Sequence, residues 1–353
     1  MKNRFLIIFF AIVCILSISV CAQAQTDSNN AVKTDSKILI CEASDMSGIK
    51  DNSFNQTAWE GIQQAEKQYG VKGTFLESKT QDDYGPNINR FVADGCTMIL
   101  TVGSFYADST KYAASIYPNT KFSIIDTIID LPNVVSQVFQ TSEASFLAGY
   151  LAAGMSKTGA VGTYGGMCIP AVEAFMDGFA NGVDYYNQQK GTSIKVLGWD
   201  REKQTGTCID SFSDKTKAQD ATKNLMDQKA DVILAAAGGA SSGSLTEISS
   251  RGTGLFIGVD ADMALEFPDD EQYILTSVLK KTDATTLSVI SQIADGTFAG
   301  GKIIGNLENG GVGLAPFHSL DDQVSDEMKS DLAQIKADII SGKIKMNDAY
   351  VQK

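Results

Sequence analysis

Residues 38–69 read ILICEASDMSGIKDNSFNQTAWEGIQQAEKQY, and the order of elements in this stretch decides the fold. Ile38-Leu39-Ile40-Cys41 is a short apolar run, the pattern of a buried strand. Ser53 with Gln56 three residues on is the capping-box pattern that opens a helix. Phe54, Ala58, Ile62, Ala65 and Tyr69 then recur at spacings of four, four, three and four, which is one helical face.

The same alternation continues outward. Thr74-Phe75-Leu76, Met98-Ile99-Leu100 and Phe122-Ser123-Ile124-Ile125 read as strands. Pro86 opens a helix carrying Ile88, Phe91 and Val92, and another helix ends near Tyr117-Pro118. The pattern then restarts, with helices over about 143–155, 172–187 and 214–228 and strands at 160–163, 194–197, 232–236, 256–259 and 273–278. Alternating β and α elements imply parallel sheets with helices on both faces. A run this long within 353 residues suggests two such domains.

Composition bounds the function. The chain is 43% hydrophobic and 20% charged, which excludes a disordered chain and a multi-span membrane protein. Its formal net charge of −13 argues against nucleic acid as a partner, because such binding neutralises phosphate. His318 is the single histidine, so general acid–base chemistry and transition-metal sites both lose their most frequent residue.

The first residues read as an address. Met1-Lys2-Asn3-Arg4 is basic and 5–20 is apolar, the form of a secretory signal over 1–24. Ala22-Gln23-Ala24 is an A-x-A cleavage site, while Ile18-Ser19-Val20-Cys21 resembles a bacterial lipobox in which Cys21 is acylated; the sequence leaves both open. Residues 25–36 are polar and aperiodic, a flexible tether. Export exposes Cys41, Cys96, Cys168 and Cys208 to an oxidising compartment, but spacing leaves free thiols and any of three full pairings open.

In parallel α/β sheets, ligands bind beyond the carboxyl ends of the strands. The residues following the strands are Asp45, Gly103 to Tyr106, Asp126, Gly165 to Cys168, Phe212, Gly238 and Asp260. They are rich in acids and aromatics and poor in bases, which suits a neutral, flat or polyhydroxylated ligand. Lys280, with Lys281, is either a solvated charge or a donor to a ligand oxygen. The Gly/Ser loop at 238–243 lacks the Walker A and G-x-G-x-x-G patterns, no G-x-S-x-G elbow occurs, and nothing singles out a carboxylate pair for glycoside hydrolysis.

Several stretches together resemble the basic membrane protein family, the purine-nucleoside-receptor type of substrate-binding lipoprotein. They are the segment from Asp45 through Asp51-Asn52-Ser53-Phe54-Asn55-Gln56 to Trp59-Glu60-Gly61, then Gly165-Gly166-Met167 with Pro170 and the FMDGF of 175–179. Ser211-Phe212-Ser213-Asp214, Ala230 to Ile233 with Gly238-Gly239, Ile257 to Asp260 and Thr276 to Lys280 follow in order. Lys50 departs from the pattern, standing where relatives often carry an acid or Asn.

The resemblance implies a type I periplasmic-binding fold, two doubly wound parallel-sheet lobes joined by three crossovers. The expected lobes are 37–140 plus about 276–310, and 141–275 plus about 311–353. It implies capture of a purine nucleoside and delivery to an ABC permease, with no cofactor, metal or chemical step. By position, Phe54 and Phe212 match the rings that sandwich the base, Asp45 the acid that holds the base, and Gly238, Asp260 and Lys280 the groups that hold the ribose hydroxyls. A Cys168–Cys208 bridge would restrain the rim of the second lobe. The alternatives are the same fold with a sugar, flavin or signalling molecule, and an exported nucleoside hydrolase. The protein is expected outside the cytoplasm, touching the membrane only through a lipid on Cys21.

Overall fold

Two six-stranded sheets carry the chain. The structure, a computed structural model, describes residues 38–346 and Val351. The expected signal peptide over 1–24, the expected tether over 25–36 and Cys21 lie outside the described residues.

The first half runs β1 (Leu39–Ser44), α1 (Phe54–Tyr69), β2 (Lys72–Glu77), α2 (Tyr84–Ala93), β3 (Met98–Thr101), α3 (Ala107–Ile116), β4 (Lys121–Ile125) and β5 (Val134–Phe139). The second runs α4 (Thr141–Met155), β6 (Ala160–Gly165), α5 (Pro170–Lys190), β7 (Lys195–Leu197), the small hairpin β8 (Trp199–Asp200) and β9 (Thr205–Gly206), α6 (Lys215–Asp227), β10 (Val232–Ala236), α7 (Ser242–Arg251), β11 (Leu255–Asp260), α8 (Met263–Glu266) and β12 (Ile274–Lys280). The chain then returns as α9 (Thr282–Ala294) and β13 (Gly301–Gly305), and closes with β14 (Val312–Leu314) and α10 (Asp326–Ile340).

The first sheet has the order β13-β5-β4-β3-β1-β2, all parallel, and the second β14-β12-β11-β10-β6-β7, with only β14 antiparallel. β12 thus belongs to the second sheet. The expected assignment of 276–280 to the first lobe is corrected: Phe256 to Asp260 draw Ile274 to Leu279 into their own ladder, and the chain crosses only at Lys281.

Each sheet is covered on both faces, which is why its strands are apolar at successive positions. In β1, Cys41 and Ala43 pack with Tyr84, Ile88 and Phe91 of α2, while Ile40 packs on the side of Ala58 and Ile62 of α1. In the second sheet, Ile233 and Ala235 meet Ala218, Leu225 and Leu245 of α6 and α7, and Leu234 joins Met176 and Phe179 of α5. Helices α4 and α5 approach closely because a Cβ at Gly149 or Gly182 would run into the carbonyl of Phe179 or Phe146. All four described cysteines are bridged, Cys41 to Cys96 and Cys168 to Cys208.

The chain passes between the sheets at 140, 281 and 306–311. These crossings are bonded side by side. Gln140 N–H donates to the Gly305 carbonyl at 2.8 Å and Lys281 N–H to that of Gly311 at 3.0 Å. Leu307 N–H donates to Glu143 Oε2 at 2.8 Å.

Candidate functional site

The carboxyl ends of both sheets face one cleft, whose empty volume, mouth included, is about 580 Å³. Asp45, Phe54, Phe212, Gly238, Asp260 and Lys280 all line it. The two sheets bring them from opposite sides: Asp45 follows β1 and Phe54 opens α1, while Asp260 and Lys280 end β11 and β12.

On the first side, the loop before α1 is fixed by Asp51. Its Oδ1 accepts from the N–H groups of Ser53 and Gln56, both at 3.0 Å, and its Oδ2 from Asn55 N–H at 3.0 Å and Asn55 Nδ2 at 2.9 Å. A carboxylate at a helix N-terminus meets unpaired donors and the positive end of the dipole. The capping box expected from Ser53 and Gln56 does not form, because Asp51 takes those donors and the Ser53 hydroxyl turns across the cleft.

Asn55 passes the order on to Asp45. Its Oδ1 accepts from Asp45 N–H at 3.1 Å and its Nδ2 donates to Asp45 Oδ1 at 2.9 Å, an oxygen that also accepts from Ser47 N–H at 2.8 Å. Asp45 Oδ2 has no such donor among the described residues and lies beside Gly103. Burial pushes the Asp45 carboxyl up to about 6, although the Ser47 and Asn55 hydrogen bonds pull it down.

On the second side, Phe212 is half-buried against two glycines. A Cβ at Gly166 would run into the Phe212 ring, and one at Gly238 would sit 3.7 Å from its Cβ. Gly238 takes φ 52°. Ile169, Val172 and Phe175 extend this apolar wall.

Between the walls lie Asp126, Asp260 and Lys280. Lys280 is the only Lys or Arg buried among the described residues, at 2% exposure. Its Nζ pairs with Asp126 Oδ2 and stands 4.7 Å from the Phe54 ring centroid, with Phe139 and Phe175 at 5.3 and 5.8 Å. Asp260 Oδ2 accepts from Ser53 Oγ at 2.6 Å. Burial pushes Asp260 up to about 6, against the opposing pull of Lys280 and the Ser53 hydroxyl. Asp126 Oδ1 is buried and has no partner among the described residues. Asp126 and Asp260 both hold left-handed backbone, φ 67° and 70°, a strained conformation that Asp tolerates better than most residues.

The cleft therefore presents acceptors from Asp45, Asp126 and Asp260, one buried cation and aromatic rings on both sides. That set offers acceptors to hydrogen-bond donors and apolar ring faces to a flat group, and its excess of carboxylates disfavours an anion. Asp51, Asn55, Asp126 and Phe175 are lining residues beyond the six expected ones. Asp126 was visible as a post-strand residue and Phe175 as part of the FMDGF stretch. Asn55 gives no signal of its orienting role outside the motif. His318 pairs with Asp262 Oδ2 at 2.8 Å and is not among the residues lining the cleft.

Comparison with known proteins bears on this geometry. The family model for PnrA-like ABC transporter substrate-binding proteins, Bmp, matches residues 42–349. The ABC transporter nucleoside-binding protein BmpA of Lactococcus lactis subsp. cremoris is 30% identical, covering 98% of this chain and 99% of that one. Basic membrane protein A of Borreliella burgdorferi is 29% identical, with 83% of each chain covered. Among solved structures, an ABC transporter solute-binding protein from Aeropyrum pernix K1 superposes with a TM-score of 0.79 at 26% identity, covering 88% of this chain and 93% of that one. The two doubly wound lobes are those of the type I periplasmic-binding fold. The chain belongs to the basic membrane protein family, the PnrA-like substrate-binding proteins of ABC transporters.

Proposed function

We propose that this protein captures a purine nucleoside in the cleft and hands it unchanged to the permease of an ABC transporter. The observation that carries the reading is the pairing of Phe54 and Phe212 as walls from opposite lobes, with buried carboxylates beside them. A purine between two rings gains roughly 1–3 kcal/mol per stacked face. Asp45 Oδ2 then accepts from the base. Asp126 and Asp260 accept from ribose hydroxyls, and Lys280 and the Gly238 loop hold the hydroxyl oxygens. Hydrogen bonds to a charged group in a site closed to water are the stronger kind. The name of the Lactococcus lactis relative, a nucleoside-binding protein, supports this class of ligand.

We further place the protein outside the cytoplasm, released after Ala24 or held by a lipid on Cys21. Among the described residues no helix is long and apolar enough to cross a membrane.

The test is titration calorimetry on ligand-stripped protein with inosine, guanosine, adenosine, cytidine, ribose and riboflavin. Submicromolar binding of purine nucleosides, with no free base released, is expected. Phe212→Ala should weaken it by about ten- to hundredfold. Asp260→Ala should act similarly on nucleosides and much less on free bases. Release of base would make the protein a hydrolase, and binding of riboflavin or a sugar alone would move the ligand class.

A further inference from the structure

Phe212 sits on a loop, residues 207–214, rather than on a helix or an extended strand. Backbone hydrogen bonds tie that loop to the strands beside it. Gly165 N–H donates to the Thr207 carbonyl, Ile209 N–H to that of Gly165 and Ser211 N–H to that of Gly166, each at 3.0 Å. Ala240 N–H donates to the Phe212 carbonyl at 2.8 Å. Across the same two segments runs the Cys168–Cys208 bridge, with Cα atoms 5.7 Å apart.

The bridge joins both parts of the second lobe's apolar wall. Cys208 lies four residues before Phe212. Cys168 lies one before Ile169, which lines the cleft, and α5 begins at Pro170 and carries Val172 and Phe175 into it. The two disulfides differ in access. Cys41 and Cys96 are 0% and 5% exposed within the core, whereas Cys168 is exposed and Cys208 half-buried at the rim. A soluble thiol reaches the second bridge and not the first.

We propose that Cys168 and Cys208 are a positioning pair for the Phe212 ring, and that the affinity of the cleft depends on their being joined. The inference rests on the reading that Phe212 stacks on the ligand. The chemistry is thiol–disulfide exchange with a dithiol. A thiolate of the dithiol attacks one sulfur, releasing the other as a thiolate that takes up a proton. The second thiol of the reagent then displaces the remaining cysteine. The protein gains two electrons and two protons as two thiols, and the reagent becomes a disulfide. The backbone bonds to Gly165, Gly166 and Ala240 remain, so the lobe stays folded. The ring samples more positions, and the ligand must order it on binding.

The experiment compares oxidised protein, protein treated with dithiothreitol, and the Cys168→Ser/Cys208→Ser double variant. Alkylation followed by peptide mass analysis verifies that Cys168 and Cys208 are reduced while Cys41 and Cys96 stay joined. Inosine titration and amide hydrogen exchange are read on each form. Loss of the bridge should weaken inosine binding by about tenfold. It should speed exchange at 207–213 and leave the first lobe unchanged. In a Phe212→Ala background it should no longer change affinity. Equal affinity and equal exchange in all forms would overturn the proposal. If oxidised protein does not bind inosine, the ligand reading fails, and exchange alone decides the bridge: acceleration confined to 166–169 and 207–213 supports positioning, and none refutes it.

Discussion

The hydroxyl of Ser53, the residue before α1, donates to Asp260 Oδ2 at 2.6 Å and so joins the two lobes across the cleft. Both groups are buried, at 0% and 6% exposure. The contact exists only while the lobes are together, so it favours the closed state. It also helps hold Asp260 ionised, because a donor to a carboxylate stabilises the charged form. Ser53→Ala should therefore open the unliganded protein, seen as a larger radius of gyration in solution scattering. It should also move the acid limb of inosine binding to higher pH. A hydrogen bond to a charged group is worth about 1.5–3 kcal/mol, so affinity should fall by roughly ten- to a hundredfold. An unchanged radius and an unchanged affinity would show that the contact is incidental.

Asp45 and Asp260 both titrate near 6, and burial is the larger cause in each. As ligand acceptors they must be ionised, so affinity should be flat above about pH 7. It should fall by roughly ten- to a hundredfold per pH unit well below 6, as one or both take up a proton. Folding has the opposite sign. Between about pH 4 and 6 the native carboxyls hold protons that the unfolded chain, with its ordinary carboxylate values, has released. The native state therefore binds more protons, and the contribution of these groups to stability rises as pH falls through 6. Titrations and melting curves on the same samples from pH 5 to 8 should move in opposite directions, with tighter binding and a lower Tm of the unliganded protein at the higher pH.

Glu42 stands in the middle of β1 with 0% exposure, and among the described residues neither of its carboxylate oxygens has a partner. Burial, with Asp51 and Asp45 adding to it, pushes its carboxyl well above the ordinary range and so favours the neutral form. A neutral acid without partners still carries a desolvation cost of about 1–3 kcal/mol. Glu42→Leu should raise Tm by a few degrees and leave inosine affinity unchanged, measured by calorimetry at pH 7. A lower Tm would mean that the carboxyl is satisfied by a buried water.

The Lys280–Asp126 pair is buried on both sides, with side chains 2% and 8% exposed. Removing one partner from such a pair strands the other charge, at a cost of about 3–5 kcal/mol. Lys280→Met should lower Tm markedly in the absence of ligand. The double variant Lys280→Met/Asp126→Asn should recover a large part of the loss without recovering affinity. Equal Tm values for the single and double variants would contradict the pairing.

The fold was legible where apolar pattern and position agree. The β1–α1 unit is legible because four apolar residues are followed by a clean helical face. Strand β5 gives a weaker signal, since Ser136 and Gln137 interrupt its apolar run. Both are buried, and Gln137 is satisfied by Ser123 Oγ at 2.9 Å and by the hydroxyls of Thr285 and Thr286, which arrive from α9 in distant sequence. The lobe boundary at about 276 was placed too early because a crossover marks itself by pairing partners and not by composition. Topology made the post-strand acids visible at the site, Asp126 among them. The diversion of Ser53 from its helix to Asp260 was not readable, since the partners are 207 residues apart. Which cysteines pair also required the fold, because spacing alone leaves three full arrangements.

The return of α9 and β13 to the first sheet has a consequence for how the protein is made. Until residue 294 leaves the ribosome α1 lacks the helix that covers it, and until residue 301 β5 is an open edge. Until residue 312, β12 is likewise an edge. Neither lobe is one unbroken stretch of nascent chain: the first sheet closes only with 301–305 and the second only with 312–314, each after chain of the other lobe has been made.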